Sequence, residues 1–444
     1  MRDSPAQSAE AASIETRASW VAAFAALAIM CVSYGAPLVA VVALKPIAAD
    51  LGSARSVPSL AYSLAWLGTA VGGVAMGRIA ERVGVRWTAS FGAVMIGLGL
   101  VVSTGGAPWQ LYLGYGLLMG LIGNAGINAP LYIYVSHWFD RRRGTALALI
   151  SSGQYVAGAI WPPLFERGIA TLGWQRTMIA FGIFAAAAIL PLALLLRRPP
   201  ATPSHAVAGA AGASSTSVLG WRPGTVLVLL SLASFACCVP MAMPQGHLVA
   251  LCTDLGISPA RGAAMLSLLL GVAFLSRQFW GWVSDRIGGL RTVLAASFCQ
   301  VVSLAALALT QDEVGLFIVS AVFGFGFSGI IPAYVLAVRE LFPAAEASWR
   351  VPMVLLMSGS GMAAGGWLAG VIYDHFGFYA PAFATGIGFN LANLALVATL
   401  VMRQRPRNGH NPPSRRPSST AWQATRVAPT VSSTGRSLRQ RSLA

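Results

Sequence analysis

Twelve stretches of about 20 mostly apolar residues recur along this chain, and a run of that length has one stable home: a helix crossing a hydrocarbon core of about 30 Å. Lipid offers no hydrogen-bond partner to a bare backbone, so such runs must be helical and must bundle. They fall at 20–44, 58–80, 88–107, 110–134, 145–166, 176–196, 224–250, 263–283, 292–310, 314–337, 351–373 and 380–402. Only 10% of the 444 residues are charged, against about 25% in soluble domains. The expected fold class is therefore an all-α membrane protein of twelve transmembrane helices in two six-helix bundles. The expected boundaries are an N-terminal segment at 1–19, a first bundle at 20–197, a linker at 198–222, a second bundle at 223–403 and a basic tail at 404–444. The linker follows Arg197, Arg198, Pro199 and Pro200 with Ser, Ala and Gly, and the tail is rich in Ser, Pro, Thr and Arg. Both compositions read as flexible chain.

Charge orients the bundles. The formal net charge is +16. With the N-terminus placed inside, the inside loops and N-terminal segment hold fifteen arginines and the stretch from Arg403 to Ala444 nine. The outside loops hold Lys45, Arg55, Arg167, Arg176 and Arg261. Basic residues concentrate on the cytoplasmic side of membrane helices, so both termini are expected in the cytoplasm. This distribution accounts for the positive charge without nucleic acid, for which no aromatic and basic surface module is present. The first apolar run exceeds a signal-peptide core and has no cleavage pattern after it, so it is expected to stay as the first span. The five cysteines form no C-x-x-C pair and read as buried thiols.

The two halves repeat. Asp50-Leu51-Gly52 ends the first span and Asp254-Leu255-Gly256 ends the seventh, 204 residues later. Gly77 with Glu81-Arg82 closes the second span, and Gly281 with Asp285-Arg286 closes the eighth at the same offset. Parallel repeats of this kind place a solute site between the halves near mid-membrane. The stretch Gly77-Arg78-Ile79-Ala80-Glu81-Arg82-Val83-Gly84-Val85-Arg86, with its copy Gly281 to Gly288, resembles the signature loop of the major facilitator superfamily. The resemblance covers nearly the whole chain and implies two six-helix bundles working by alternating access. It also implies that Gly77, Glu81, Arg82, Arg86, Gly281, Asp285, Arg286 and Arg142 brace a cytoplasmic gate. Glu81 stands where the family more often has Asp.

A second stretch, Trp138-Phe139-Asp140-Arg141-Arg142-Arg143-Gly144-Thr145-Ala146, followed by Gly153 and Gly158, resembles monocarboxylate porters and oxalate/formate-type exchangers. Those families place a substrate-binding arginine where Arg277 lies, four residues before Gly281. The chain departs from them at three points. Leu38 follows Pro37 where the animal carriers have lysine, Ala273 stands where they have an acid, and the eleventh span has no lysine.

Arg277 is the sharpest candidate. At 1.5 Å per residue it lies roughly 10 Å inside the cytoplasmic end of its span. All fourteen acids fall in loops, tails or span ends, so no deep carboxylate neutralises it. A guanidinium lining a wet cavity favours an anion, and its fork suits a carboxylate. The competing reading is an arginine bonded to backbone carbonyls or snorkelling to the headgroups. His247 is the candidate proton carrier, with an interfacial structural histidine as its alternative. Tyr34, Asn124, Asn128, Tyr132, Gln154, Tyr155 and Tyr334 are expected to complete the site or to bond helices together. Repeated Gly-x-x-x-Gly pairs read as packing within the chain, so a monomer is the expected working unit.

The expected function is secondary transport of a small organic anion, with protons or a counter-anion as the coupling partner and the bilayer as solvent. Proton-coupled efflux of a metabolite or drug-like solute is the alternative. Gly324 to Gly329 matches G-x-G-x-x-G but sits inside an apolar span with no preceding strand, so it fails as a dinucleotide site. No Walker A, zinc motif or nucleophile elbow occurs, so no enzyme, cofactor or metal is expected. The single lysine beside many arginines, with no eukaryotic targeting signal, points to a bacterial inner membrane.

Overall fold

The computed structural model describes residues 15–139, 142–196 and 217–404. The expected linker is described only from 217, where Val218 and Trp221 make an isolated bridge. Asp140, Arg141 and the tail beyond Gln404 lie outside the described residues.

The chain runs as α1 (Arg17–Val42), a short helix Leu44–Asp50, α2 (Ser56–Val83), α3 (Val85–Ser103) and α4 (Pro108–Ser136). Next come α5, divided into Arg143–Ser151 and Gly153–Leu172, and α6 (Trp174–Leu194). The second half holds α7 (Pro223–Asp254), α8 (Pro259–Ile287), α9 (Gly289–Leu309), α10 (Glu313–Leu341), α11 (Ala344–Phe376) and α12 (Ala380–Arg403). Among the described residues, eleven helices are long and apolar enough to cross a membrane. The exception is α5. Its longer piece carries Glu166, Arg167, Pro162 and Pro163, which lower its mean hydropathy.

Local chemistry explains the helix ends. Proline opens α4, α7 and α8, where its missing N–H costs nothing. Asp312 caps α10 by accepting from the Gly315 N–H at 2.7 Å. Glycines with positive φ turn the chain at Gly52 and Gly256, Gly84 and Gly288, and Gly173 and Gly377. Each pair is 204 residues apart, so the repeat visible in the sequence recurs in backbone geometry.

Two hydrophobic cores form, one within α1–α6 and one mostly within α7–α12. Bare glycine backbones set the closest packing. A Cβ at Gly72 would lie 2.2 Å from the Leu121 carbonyl oxygen of α4, and one at Gly365 would lie 2.0 Å from the Val239 oxygen of α7. The bundles meet along α2 with α11 and α5 with α8. Gly366 faces Tyr62 and Ser63, Gly370 faces Ser59, and Gly158 faces Leu270. Arg82 and Arg86 around the end of α2, Arg142 before α5, and Arg286 and Arg291 around the end of α8 mark a basic face, with the loops around residues 43–55 and 254–258 on the opposite face.

Candidate functional site

A cavity of about 240 Å³ lies between the bundles. Tyr34, Trp66, Tyr132 and Tyr155 wall it from the first bundle, and Gln245, Arg277, Phe327 and Ser358 from the second. No carboxylate is among its lining residues. The break in α5 explains how Arg277 is held. Gly153 sits against Met30, and the Ser152 hydroxyl bonds back to the Ala148 oxygen at 2.9 Å. The backbone N–H groups of Tyr155 and Val156 both donate to the Ser152 oxygen at 3.0 Å. The Ser151 carbonyl is thereby released from the regular ladder, and it accepts from Arg277 Nη1 at 3.3 Å. The guanidinium carbon also stands 5.2 Å from the Tyr155 ring centre, within cation–π range. This single long hydrogen bond engages one of the five guanidinium donors. Tyr155 in turn packs on Phe327 across the interface at 6.0 Å.

Five of the sequence candidates therefore converge: Tyr34, Tyr132, Gln154, Tyr155 and Arg277. Four do not. Asn124 accepts from the Ser33 hydroxyl at 2.6 Å and ties α4 to α1. Asn128, one turn on, is buried with neither amide atom bonded. Tyr334 donates to Asn393 Oδ1 at 2.6 Å, inside a polar cluster of the second bundle that includes Ser297 and Asn390. His247 is fully buried, with Nδ1 3.1 Å from the Tyr379 hydroxyl and Nε2 2.8 Å from the Gly366 oxygen. The wall also includes Trp66, Thr69, Ser151, Gln245 and Ser358, which sequence reasoning did not single out. Gln245 was the one with a signal, being an amide inside an apolar run beside Pro244.

The opposite face is closed by a latch of side chains. Asp254 of α7 receives Arg55 in a fork, at 2.6 and 2.7 Å, and Lys45 at 3.0 Å. Arg55 also donates to the Tyr379 hydroxyl at 3.1 Å and stacks 3.8 Å above the Tyr373 ring. Burial works against its charge, but the Asp254 and Tyr379 contacts outweigh that and raise the Arg55 pKa. Asp374 of α11 accepts the backbone N–H groups of Arg55 and Ser56, both at 2.8 Å, and so caps α2 from the other bundle.

Among the described residues no such latch joins the bundles on the basic face. Glu81, Arg82, Arg86, Asp285 and Arg286 make no hydrogen bond or ion pair to the other bundle among the described residues. Arg286 lies 3.5 Å over its neighbour Trp282, and the Arg142 N–H donates to Glu15 of its own bundle. Gly77 and Glu81 to Trp87 line a separate cavity of about 530 Å³ within the first bundle. A Cβ at Gly281 would meet nothing within 4 Å. The bundles are thus bonded together on one face, and among the described residues the expected gate residues of the other face make no such bond across.

The sequence profile of the Major Facilitator Superfamily matches residues 21–309 and 230–440. Monocarboxylate transporter 13 of Bos taurus is 27% identical over 351 residues, 78% of this chain and 79% of its own. The uncharacterized MFS-type transporter YcxA of Bacillus subtilis is 24% identical over 308 residues, 67% of this chain and 74% of its own. Among solved structures, the nucleoside transporter NupG superposes with a TM-score of 0.66 at 12% identity, covering 88% of this chain and all of that one. An inward-facing bacterial homolog of the human lysosomal transporter Spinster does so with a TM-score of 0.62 at 15% identity, covering 86% and 94%. Twelve-helix architecture, a central cavity between two repeats and a profile match over most of the length lead to one conclusion: this chain is a membrane transporter of the major facilitator superfamily.

Proposed function

We propose that the chain moves a small organic anion, a carboxylate, across the membrane by alternating access. The observation that carries this reading is Arg277, a cation facing a cavity without a carboxylate, with one donor bonded and the others free for a ligand. Its fork matches a carboxylate, and the ring walls of Tyr34, Tyr132 and Tyr155 match an apolar body. The cavity volume is below the range of about 300–1,000 Å³ that drug-sized ligands occupy, which favours a small solute over a drug. In this reading the basic face is cytoplasmic, both termini are inside, and the structure is the inward-facing state. The membrane is the bacterial inner membrane, with protons or a counter-anion driving the cycle. The signature-loop residues Gly77, Glu81, Arg82, Arg86, Arg142, Gly281, Asp285 and Arg286 engage when the opposite face opens. The identity of monocarboxylate transporter 13 lends the branch support at 27%.

A thermal-shift series on purified protein tests the site. Aliphatic and aromatic monocarboxylates should raise the unfolding midpoint of the wild type and leave Arg277→Gln unmoved. Equal shifts in both proteins would assign Arg277 to its bond with Ser151 and the carboxylate to another site, and no shift in either would move proton-coupled efflux ahead of this reading.

A further inference from the structure

His247 lies outside the solute cavity, yet it is joined to the latch of the opposite face. The Gly366 carbonyl can only accept, so the hydrogen on His247 Nε2 points to it. In the neutral ring Nδ1 is then an acceptor, and the Tyr379 hydroxyl donates to it. The same hydroxyl oxygen accepts from Arg55 Nη1, whose remaining donors hold Asp254. One chain of bonds therefore runs from Asp254 through Arg55, Tyr379 and His247 to the backbone of α11. It joins α2 of the first bundle to α7, α11 and α12 of the second.

We propose that His247 is a proton-binding site that opens this latch. A proton on Nδ1 converts it from acceptor to donor. The Tyr379 oxygen then faces two cationic donors, His247 and Arg55, and its own hydrogen loses its place. The bond network that fits a neutral ring no longer fits a charged one, and Arg55 is the member free to leave, because it sits in the loop before α2. The charged and titratable groups facing His247 are Arg55 from the first bundle, Asp374 at the end of α11 and Tyr379 before α12. Asp254 and Lys45 stand one step further, on the far side of Arg55, and Tyr62 of α2 packs beside Gly246. The oxygens of Asp374 are committed to the N–H groups of Arg55 and Ser56. Opening would free those N–H groups as well, so proton binding and loss of the α2 cap go together. The inference concerns the gate and holds whatever solute the cavity takes.

The test reads conformation, so it is separate from any result on carboxylates. Spin labels at Leu172→Cys and Gln311→Cys, exposed positions of the two bundles on the opposite face, report the gap between them. The half-buried Cys31 and Cys299 are replaced by alanine, and the protein is held in liposomes at pH 8 and pH 4.5. Acid should raise the ratio of long to short distances by roughly tenfold or more, the equivalent of losing one charged hydrogen bond. Asp254→Asn should raise it at both pH values. His247→Gln, whose amide can still donate to Gly366 and accept from Tyr379, should stay closed at both. Tyr379→Phe should lose the pH response too, which guards against a poorly folded His247 variant. A pH response that survives in both His247→Gln and Tyr379→Phe overturns the proposal. So does a wild type that ignores acid while Asp254→Asn opens, or an Asp254→Asn that stays closed.

Discussion

Replacing Gly365 by alanine tests the packing on which the second bundle rests. Its new Cβ would lie 2.0 Å from the Val239 oxygen and 2.8 Å from that residue's Cα and carbonyl carbon. Those are backbone atoms of a buried helix, so no rotamer change relieves the contact. The helices α7 and α11 must part by about 1 Å or more, since carbon contacts settle near 3.5–4.0 Å. Overpacking of this kind costs about 1–3 kcal/mol, and a backbone neighbour places it at the upper end. Alanine recovers about 1 kcal/mol over glycine in a helix interior, leaving a net loss of about 2 kcal/mol. Gly388 in α12 is the matched control, because a Cβ there meets nothing within 4 Å and alanine should stabilise. The assay is the temperature at which detergent-solubilised protein loses its monodisperse peak. Gly365→Ala should fall below the wild type and Gly388→Ala should equal or exceed it. A Gly365→Ala midpoint at or above the wild type would refute the close approach of α7 and α11.

Three further outcomes follow from the site and the gates. Gly281→Ala should keep the wild-type midpoint, since the position is open here, while slowing transport because the signature copy must close in the other state; unchanged transport would remove Gly281 from the gate. Tyr155→Leu keeps the wall apolar but removes the ring beneath Arg277, and should weaken carboxylate binding by about 0.5–2 kcal/mol, read as a several-fold rise in the half-saturating concentration. Lys45→Ala should change gate opening by less than about 1 kcal/mol, because Lys45 is 38% exposed and Arg55 still holds Asp254; distance measurements across the opposite face would show it.

The helices were legible because lipid leaves so few options. Run length alone placed the helix ends within about four residues except at two: α5 runs to Leu172, six residues past its expected end, and α11 begins at Ala344, seven before its expected start; α5 is also broken and less apolar than the rest. Its break depends on Gly153 meeting Met30 of α1, a contact that no local pattern announces. Arg277 was legible for a related reason, since an arginine inside an apolar run has to face something other than lipid. The latch was not. Arg55 read as one of five outside charges, and Asp254 as a landmark of the repeat. Their pairing spans 199 residues. The repeat itself misleads there. Asp50 accepts from Trp174 at 2.9 Å and Gln175 at 2.5 Å inside its own bundle, whereas its counterpart Asp254 reaches across. Polarity inside a span marks a residue as inward-facing without saying which interior. Hence Tyr155 turned to the cavity, while Tyr334 and Asn124 turned to bonds within a bundle.

The most direct test of the central claim is uptake of labelled small mono- and dicarboxylates into proteoliposomes, wild type beside Arg277→Ala, with and without a pH gradient. The account predicts saturable uptake of a carboxylate by the wild type and its loss in Arg277→Ala, with insertion into the bilayer unchanged. Uptake that persists in Arg277→Ala, or none of any carboxylate by the wild type, would contradict it.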